Sequence, residues 1–168
     1  DFLPGFFSRE DIRAGKAEAV DVLFSTWGMP SLTEDEIGKM PNLKALFYSA
    51  GATDAFARPF LAKHIPVTCA CRVNAIPVAD HCHAEILLAL KGFYRVTKAI
   101  HSKEDWGPSR NLIGPGAYGE TVALIGSGLV STLLQERLKP HDLKVIVVST
   151  LPENRTVSIA DAFRQAYV

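Results

Sequence analysis

Thr121-Val122-Ala123-Leu124-Ile125-Gly126-Ser127-Gly128-Leu129-Val130-Ser131 is the stretch that decides the fold. Its first five residues are apolar or β-branched without interruption, the pattern of a strand buried on both faces. Residues 126–138 then carry an apolar face at helical spacing, and Lys144-Val145-Ile146-Val147-Val148 reads as a second buried strand. Strand, turn, helix and strand in that order make a βαβ unit. Gly126 and Gly128 follow a buried strand and open a helix, which is the context in which a glycine pair counts as a dinucleotide fingerprint. The first glycine permits the tight turn and the second lets a pyrophosphate approach the backbone. The helix N-terminus, here Leu129 and Val130, offers free N–H groups and partial positive charge. Ser131 fills the third position, where a small residue lets helix and strand pack closely. The plainer alternative for the same residues is a tight turn that holds no ligand.

A dinucleotide domain usually presents an acid to the adenosine ribose past its second strand, and here Ser149-Thr150 stands instead. An acid there would repel a 2′-phosphate. Ser149 and Thr150, with Arg155 nearby, are therefore compatible with NADP as well as NAD, and the sequence leaves the two open.

Outward from this unit, the strand and helix signals keep alternating. Val20-Asp21-Val22-Leu23-Phe24-Ser25-Thr26 reads as a strand closed by Trp27-Gly28-Met29-Pro30. Thr33-Glu34-Asp35-Glu36 is a capping box flanked by Leu32 and Ile37 as a hydrophobic staple, so a short helix starts there and Pro41 stops it. Residues 43–48 read as a strand, Ser49 to Asp54 as a small-residue turn, residues 56–63 as a helix and residues 65–70 as a third strand. The longest helix is expected from about Asn74, because Pro77 is tolerable only near a first turn. Residues 106–119, with Pro108, Gly114, Pro115 and Gly116, read as an inter-domain connection. Strands alternating with helices throughout give an α/β fold with parallel sheets.

The 168 residues hold 18 basic and 18 acidic side chains, a formal net charge of zero. No diffuse positive field is available to track phosphate backbones, which argues against a nucleic-acid partner. No apolar run reaches the roughly 20 residues of a membrane span, and no signal segment opens the chain, so a soluble cytoplasmic protein is expected. Three cysteines, Cys69, Cys71 and Cys82, are an odd number and do not suggest a disulfide framework.

Asp80-His81-Cys82-His83 holds metal-ligand chemistry, but only His81 and Glu85 have the helical spacing to share an ion, so no metal is expected. His64, His101 and His141 fall in loops or at element ends without triad partners. Among Arg58, Arg72 and Arg95, Arg72 is the candidate to meet a substrate carboxylate, with a solvated role the plainer reading.

Several stretches together resemble the D-isomer-specific 2-hydroxyacid dehydrogenases. Pro41-Asn42-Leu43-Lys44-Ala45-Leu46 is similar to the family's approach to its substrate loop, and Ile65-Pro66-Val67-Thr68 to the strand after it. Asn74-Ala75-Ile76-Pro77-Val78-Ala79-Asp80-His81 resembles the opening of the long inter-domain helix, and residues 122–131 the nucleotide turn. The resemblance implies a flavodoxin-like substrate lobe, residues 1–105, followed by the first βαβ unit of a Rossmann-like NAD(P)-binding lobe, residues 106–168. It implies NAD or NADP as cofactor, a small 2-keto or 2-hydroxy acid as substrate, and a homodimer. Ala50, Gly51 and Ala52 would face the substrate carboxylate, Asn74 and Val78 would lie near the cleft, and Ser149 and Thr150 would sit toward the ribose.

The departures from the family pattern are specific. The loop from Ser49 to Asp54 is longer and poorer in glycine, Asp80 replaces the usual Glu, and the stretch after Ser149 is shortened. The family's catalytic Arg, its acidic partner and its His correspond to no residue of 1–168, so no catalytic residue is expected within this stretch and a longer polypeptide is. The rival expectation is a catalytically inactive nucleotide-binding protein of the same fold.

Overall fold

The computed structural model describes residues 6–168; residues 1–5, the start of the expected first lobe, lie outside the described residues. The chain divides into two compact units, Asp1–Asn74 and Ala75–Val168. In the first, α1 (Arg9–Arg13) is followed by β1 (Val22–Ser25), α2 (Glu34–Gly38), β2 (Ala45–Tyr48), α3 (Ala57–Ala62) and β3 (Val67–Cys69). The three strands form a parallel sheet in the order β1-β2-β3, in a register that aligns Ser25 with Tyr48 and Tyr48 with Cys69. Period-two alternation decides what is buried. Leu46 and Tyr48 enter a core with Leu32, Ile37 and Phe60, while Phe47 points to the other face and stacks on Phe24 with ring centroids 5.3 Å apart.

The expected capping box is formed: Glu36 donates its N–H to the Thr33 hydroxyl at 3.2 Å, and Thr33 donates its N–H to the Glu36 carboxylate at 2.8 Å. Leu32 and Ile37 are both fully buried beside it, as a staple requires. Glu36 is itself buried and receives Arg9 at 2.9 and 3.0 Å and Arg13 at 2.5 Å, so α1 and α2 are joined through one carboxylate. This ion cluster was not among the expectations, since the partners lie 23 and 27 residues away.

The long helix, α4 (Cys71–Lys91), runs through the division between the units. It begins three residues before the expected start, with the Asn74 N–H bonded to the Ala70 carbonyl at 2.9 Å. Pro77 therefore lies in the helix interior, a correction to the first-turn placement. The missing N–H leaves the Val73 carbonyl without its helical donor, and the cost is limited because Val73 and Pro77 are both exposed to water.

The second unit continues with α5 (Phe93–Ala99), α6 (Trp106–Ser109), β4 (Tyr118–Ile125), α7 (Leu129–Leu138), β5 (Asp142–Val148) and α8 (Ile159–Gln165). β4 and β5 are parallel neighbours with α7 between them in sequence, the βαβ unit expected. Ala79, Ile86 and Leu90 of α4 share one core with Val122, Leu124, Leu134 and Leu138. That shared core places most of α4 in the second of the two compact units. Residues 106–119, read from sequence as a connection, lie inside the second unit: 106–112 form short helical turns, 113–117 close on the end of α4, and 118–119 begin β4. The Gly114 N–H bonds the Lys91 carbonyl at 3.0 Å, and a Cβ on Gly114 would stand 2.1 Å from the Leu90 carbonyl oxygen. The glycine is there for close approach rather than for flexibility. At the other edge of β4, Ala123 donates its N–H to Val168 at 2.9 Å and Thr121 accepts that of Tyr167 at 2.8 Å. Part of an edge that the sequence leaves open is thereby paired.

Candidate functional site

Two places in the fold carry ligand-ready geometry, one in each unit. In the second, Gly126 turns the chain out of β4 at φ +113°, a conformation that a side chain strains, and its N–H bonds the Val148 carbonyl at 2.7 Å. Gly128 follows as the N-cap of α7 with an ordinary extended φ of −80° and no side chain to cap the helix. Its carbonyl takes the first helical bond, from the Thr132 N–H at 3.0 Å. The N–H groups of Leu129 and Val130 consequently have no acceptor within the helix. A Cβ on Gly128 would meet nothing within 4 Å. Neither the backbone nor the packing of the protein needs a glycine at 128, so the space it leaves open is available to a group from outside. That is the space a pyrophosphate would fill, and the turn fits a dinucleotide on that ground. The Ser131 hydroxyl is buried on the packed side of the helix with no hydrogen-bond partner among the described residues. There glycine or alanine would leave no polar atom unpaired.

At the end of β5, Ser149 is buried and its hydroxyl accepts the Leu151 N–H at 3.1 Å. Arg155 reaches back, donating to the carbonyls of Ser149 at 3.0 Å and Thr150 at 3.3 Å. The strand end thus presents the exposed Thr150 and a guanidinium, with the Ser149 side chain turned inward.

In the first unit, Ser25, Tyr48 and Cys69 are the last residues of their strands. They line an open concavity of about 310 Å³ together with Phe24, Phe47, Ser49, Thr68 and Ala70. The carboxyl ends of parallel strands are where α/β sheets take their ligands. Ser49 ties two of these ends, donating its N–H at 2.8 Å and its hydroxyl at 3.1 Å to the Ser25 carbonyl. Next to it come Ala50, buried, Gly51, half-buried, and Ala52, exposed. Among the described residues the N–H groups of Gly51 and Ala52 have no acceptor, while the Ala50 carbonyl is held by the Ala70 N–H at 3.0 Å. A Cβ on Gly51 would stand 3.0 Å from the Asn74 amide nitrogen, so the loop and Asn74 are close neighbours. Val78, further along α4, is exposed. Ser25, Ser49 and Cys69 escaped the sequence reading; the signal was the register itself, which sets the last residues of three strands side by side.

The remaining polar candidates are distributed as follows. His81 and Glu85 approach to 3.9 Å at the surface. His83 turns away from them and pairs with His141, ring nitrogen to ring nitrogen at 2.8 Å, where burial and then the His141 charge hold its pKa down. Asp80 accepts from Arg137 at 2.7 Å. No cluster of three or more metal-ligating side chains occurs among the described residues. Arg72 is exposed on the first turn of α4 without an ion pair among the described residues. Arg58 is exposed, and Arg95 donates to the Tyr167 hydroxyl at 2.5 Å.

No family model matches the chain, and no curated protein matches it in sequence. Solved structures do match in fold. D-2-hydroxyisocaproate dehydrogenase superposes with a TM-score of 0.73 at 19% identity over 99% of this chain and 52% of its own. NAD-dependent formate dehydrogenase from Staphylococcus aureus, solved with NAD, gives 0.66 at 20% over 92% and 49%. An acyclic imino acid reductase, solved with NADPH and D-Arg, gives 0.70 at 18% over 98% and 54%. The chain spans about half the length of each. At these identities the likeness establishes the fold, which is the α/β architecture of the D-2-hydroxyacid dehydrogenases that the sequence resemblance implies. Among the described residues no helix is long and apolar enough to cross a membrane.

Proposed function

We propose that the chain belongs to an NAD(P)-dependent oxidoreductase that interconverts a small 2-hydroxy acid and its 2-keto acid. It would carry the substrate-facing loop and the opening βαβ unit of the dinucleotide site. The observation that supports this most directly is the turn at Gly126 and Gly128, where a strained glycine and an uncapped helix end leave a space that the protein itself does not use. Leu129 and Val130 would donate their N–H groups to the pyrophosphate. Thr150 and the Arg155 guanidinium would stand at the ribose, where a positive group accommodates a 2′-phosphate and makes NADP the better-matched partner. When bound, the nicotinamide supplies the hydride acceptor and donor. At the other site, the free N–H groups of Gly51 and Ala52 would hold the substrate carboxylate, with Asn74 beside them and Arg72 and Val78 on the same helix.

The same reading includes a soluble cytoplasmic homodimer, for which sedimentation equilibrium is the check. The functional test is a fluorescence titration of the full-length protein with NADH and NADPH, followed by turnover with a panel of 2-keto acids. Saturable binding of either dinucleotide is expected, and failure to bind both removes the reading. Binding without turnover on any acid would favour the inactive nucleotide-binding alternative.

A further inference from the structure

Ala79, Ile86 and Leu90 mark the stripe that α4 buries in the core it shares with β4 and α7. His83 falls in the same stripe, one turn after Ala79 and one turn before Ile86. On α7, Leu134 and Leu138 form the matching stripe, and His141 follows at the next turn with its N–H bonded to the Leu138 carbonyl at 3.0 Å. A polar ring at such a position costs stability unless it finds a partner. The two half-buried imidazoles supply each other, Nε2 to Nε2 at 2.8 Å, with ring centroids 5.0 Å apart. The centroids are farther apart than the nitrogens by nearly twice the distance from an imidazole nitrogen to its ring centre, so the rings meet head-on. That is the geometry of an N–H···N hydrogen bond, in which one Nε2 carries a proton and the other accepts it. We propose that His83 and His141 form a clip that fastens α4 to the turn between α7 and β5 and that opens when both imidazoles are protonated.

The proton count decides when the clip holds. In the neutral pair one Nε2–H donates to the bare Nε2 opposite. A first added proton makes the donor an imidazolium, and the bond becomes charge-assisted. A second protonates the acceptor, so that two N–H groups and two positive charges face each other and the bond is lost. The surroundings oppose that second proton. Partial burial first, and then the His141 charge, hold His83 below its ordinary 6.5; Arg137 adds to this and Asp80 works against it. Asp80 and Arg137 are themselves paired at 2.7 Å and form a second tie between the same two helices. Of the remaining charged groups within a turn of His83 and around the end of α7, Glu85 is engaged by His81 and the Tyr94 hydroxyl, Glu136 pairs with Lys139, and Asp142 and Lys144 are exposed. A histidine held neutral in the fold contributes stability that is complete above 6.5 and is lost as pH falls below it, because the unfolded chain takes the proton first.

The test is to label the full-length protein with 15N-histidine and follow both ring nitrogens of His83 and His141 from about pH 8 to about pH 5. At the upper end one ring should carry its proton on Nε2 and the other on Nδ1. Both rings should then titrate in two steps, with apparent pKa values at least about one unit apart. In His141→Phe, His83 should titrate in a single step that lies above the lower step of the parent. The amides of His141 and Leu143, bonded to the Leu138 and His141 carbonyls, should lose at least tenfold in exchange protection at the lower step and none at the upper. Where His141→Phe does not fold, the tautomers and the two steps of the parent decide the matter by themselves. Protons on Nδ1 of both rings, independent single titrations, or protection unchanged through both steps would each overturn the proposal. The readout involves no dinucleotide and no substrate, so it stands or falls independently of the dehydrogenase reading.

Discussion

Two glycines two residues apart do different work, and substitution separates them. Gly126 is required by the protein's own backbone, so Gly126→Ala should destabilise the fold by about 1–3 kcal/mol, measured by urea unfolding. Gly128 has an ordinary φ and open space where a Cβ would stand, so Gly128→Val should leave the urea midpoint nearly unchanged. Its side chain would occupy the space assigned to the pyrophosphate. NADH or NADPH affinity should therefore fall at least tenfold, about 1.4 kcal/mol. Equal affinity in the variant would show that the turn serves only the fold. Glu36 offers a pH-dependent case. Arg9 first, then the Thr33 N–H and Arg13, hold its carboxyl at about 2 against an ordinary 4.5. A depressed acid contributes stability that is complete above about 4.5 and is lost as pH falls toward 2. Stability measured across that window should fall more steeply in the parent than in Glu36→Gln, and identical profiles would remove the ion cluster from the acid response.

At the scale of elements, legibility followed the range of the interaction. The capping box at Thr33 and Glu36, the three strands and the βαβ unit are local patterns, and each is present where the sequence places it. What could not be read depended on partners far along the chain. The glycines near residue 114 look like a linker until the Leu90 carbonyl is seen against them, and Ser25, Ser49 and Cys69 become neighbours only through strand register. Within the candidate site, the glycine turn was legible because its geometry is set by adjacent residues. The inward turn of Ser149 was not, because the bonds from Leu151 and Arg155 decide it. Pro77 belongs to this scale as well. It removes the helical donor of the Val73 carbonyl, which water serves in part because both residues are exposed, so Pro77→Ala should stabilise the protein by less than the full penalty of about 3 kcal/mol. A loss of stability would mean that packing in α4 requires the proline's local geometry.

For the molecule as a whole, the two candidate sites lie in different compact units, so each ligand should leave its own signature in hydrogen exchange. A dinucleotide that binds only the folded state at a hundred times its Kd adds about 2.7 kcal/mol of stability. On the proposed function, that stabilisation slows exchange first at the amides of Leu129 and Val130, which have no helical acceptor, and at the β4 and β5 amides that share the core behind them. A 2-keto acid added alone should leave those amides unchanged and slow Gly51 and Ala52, whose N–H groups are free among the described residues. Protection by the dinucleotide at β1, β2 and β3 with none at β4 and β5 would place the nucleotide in the other unit. The glycine turn would then be a structural corner and no more.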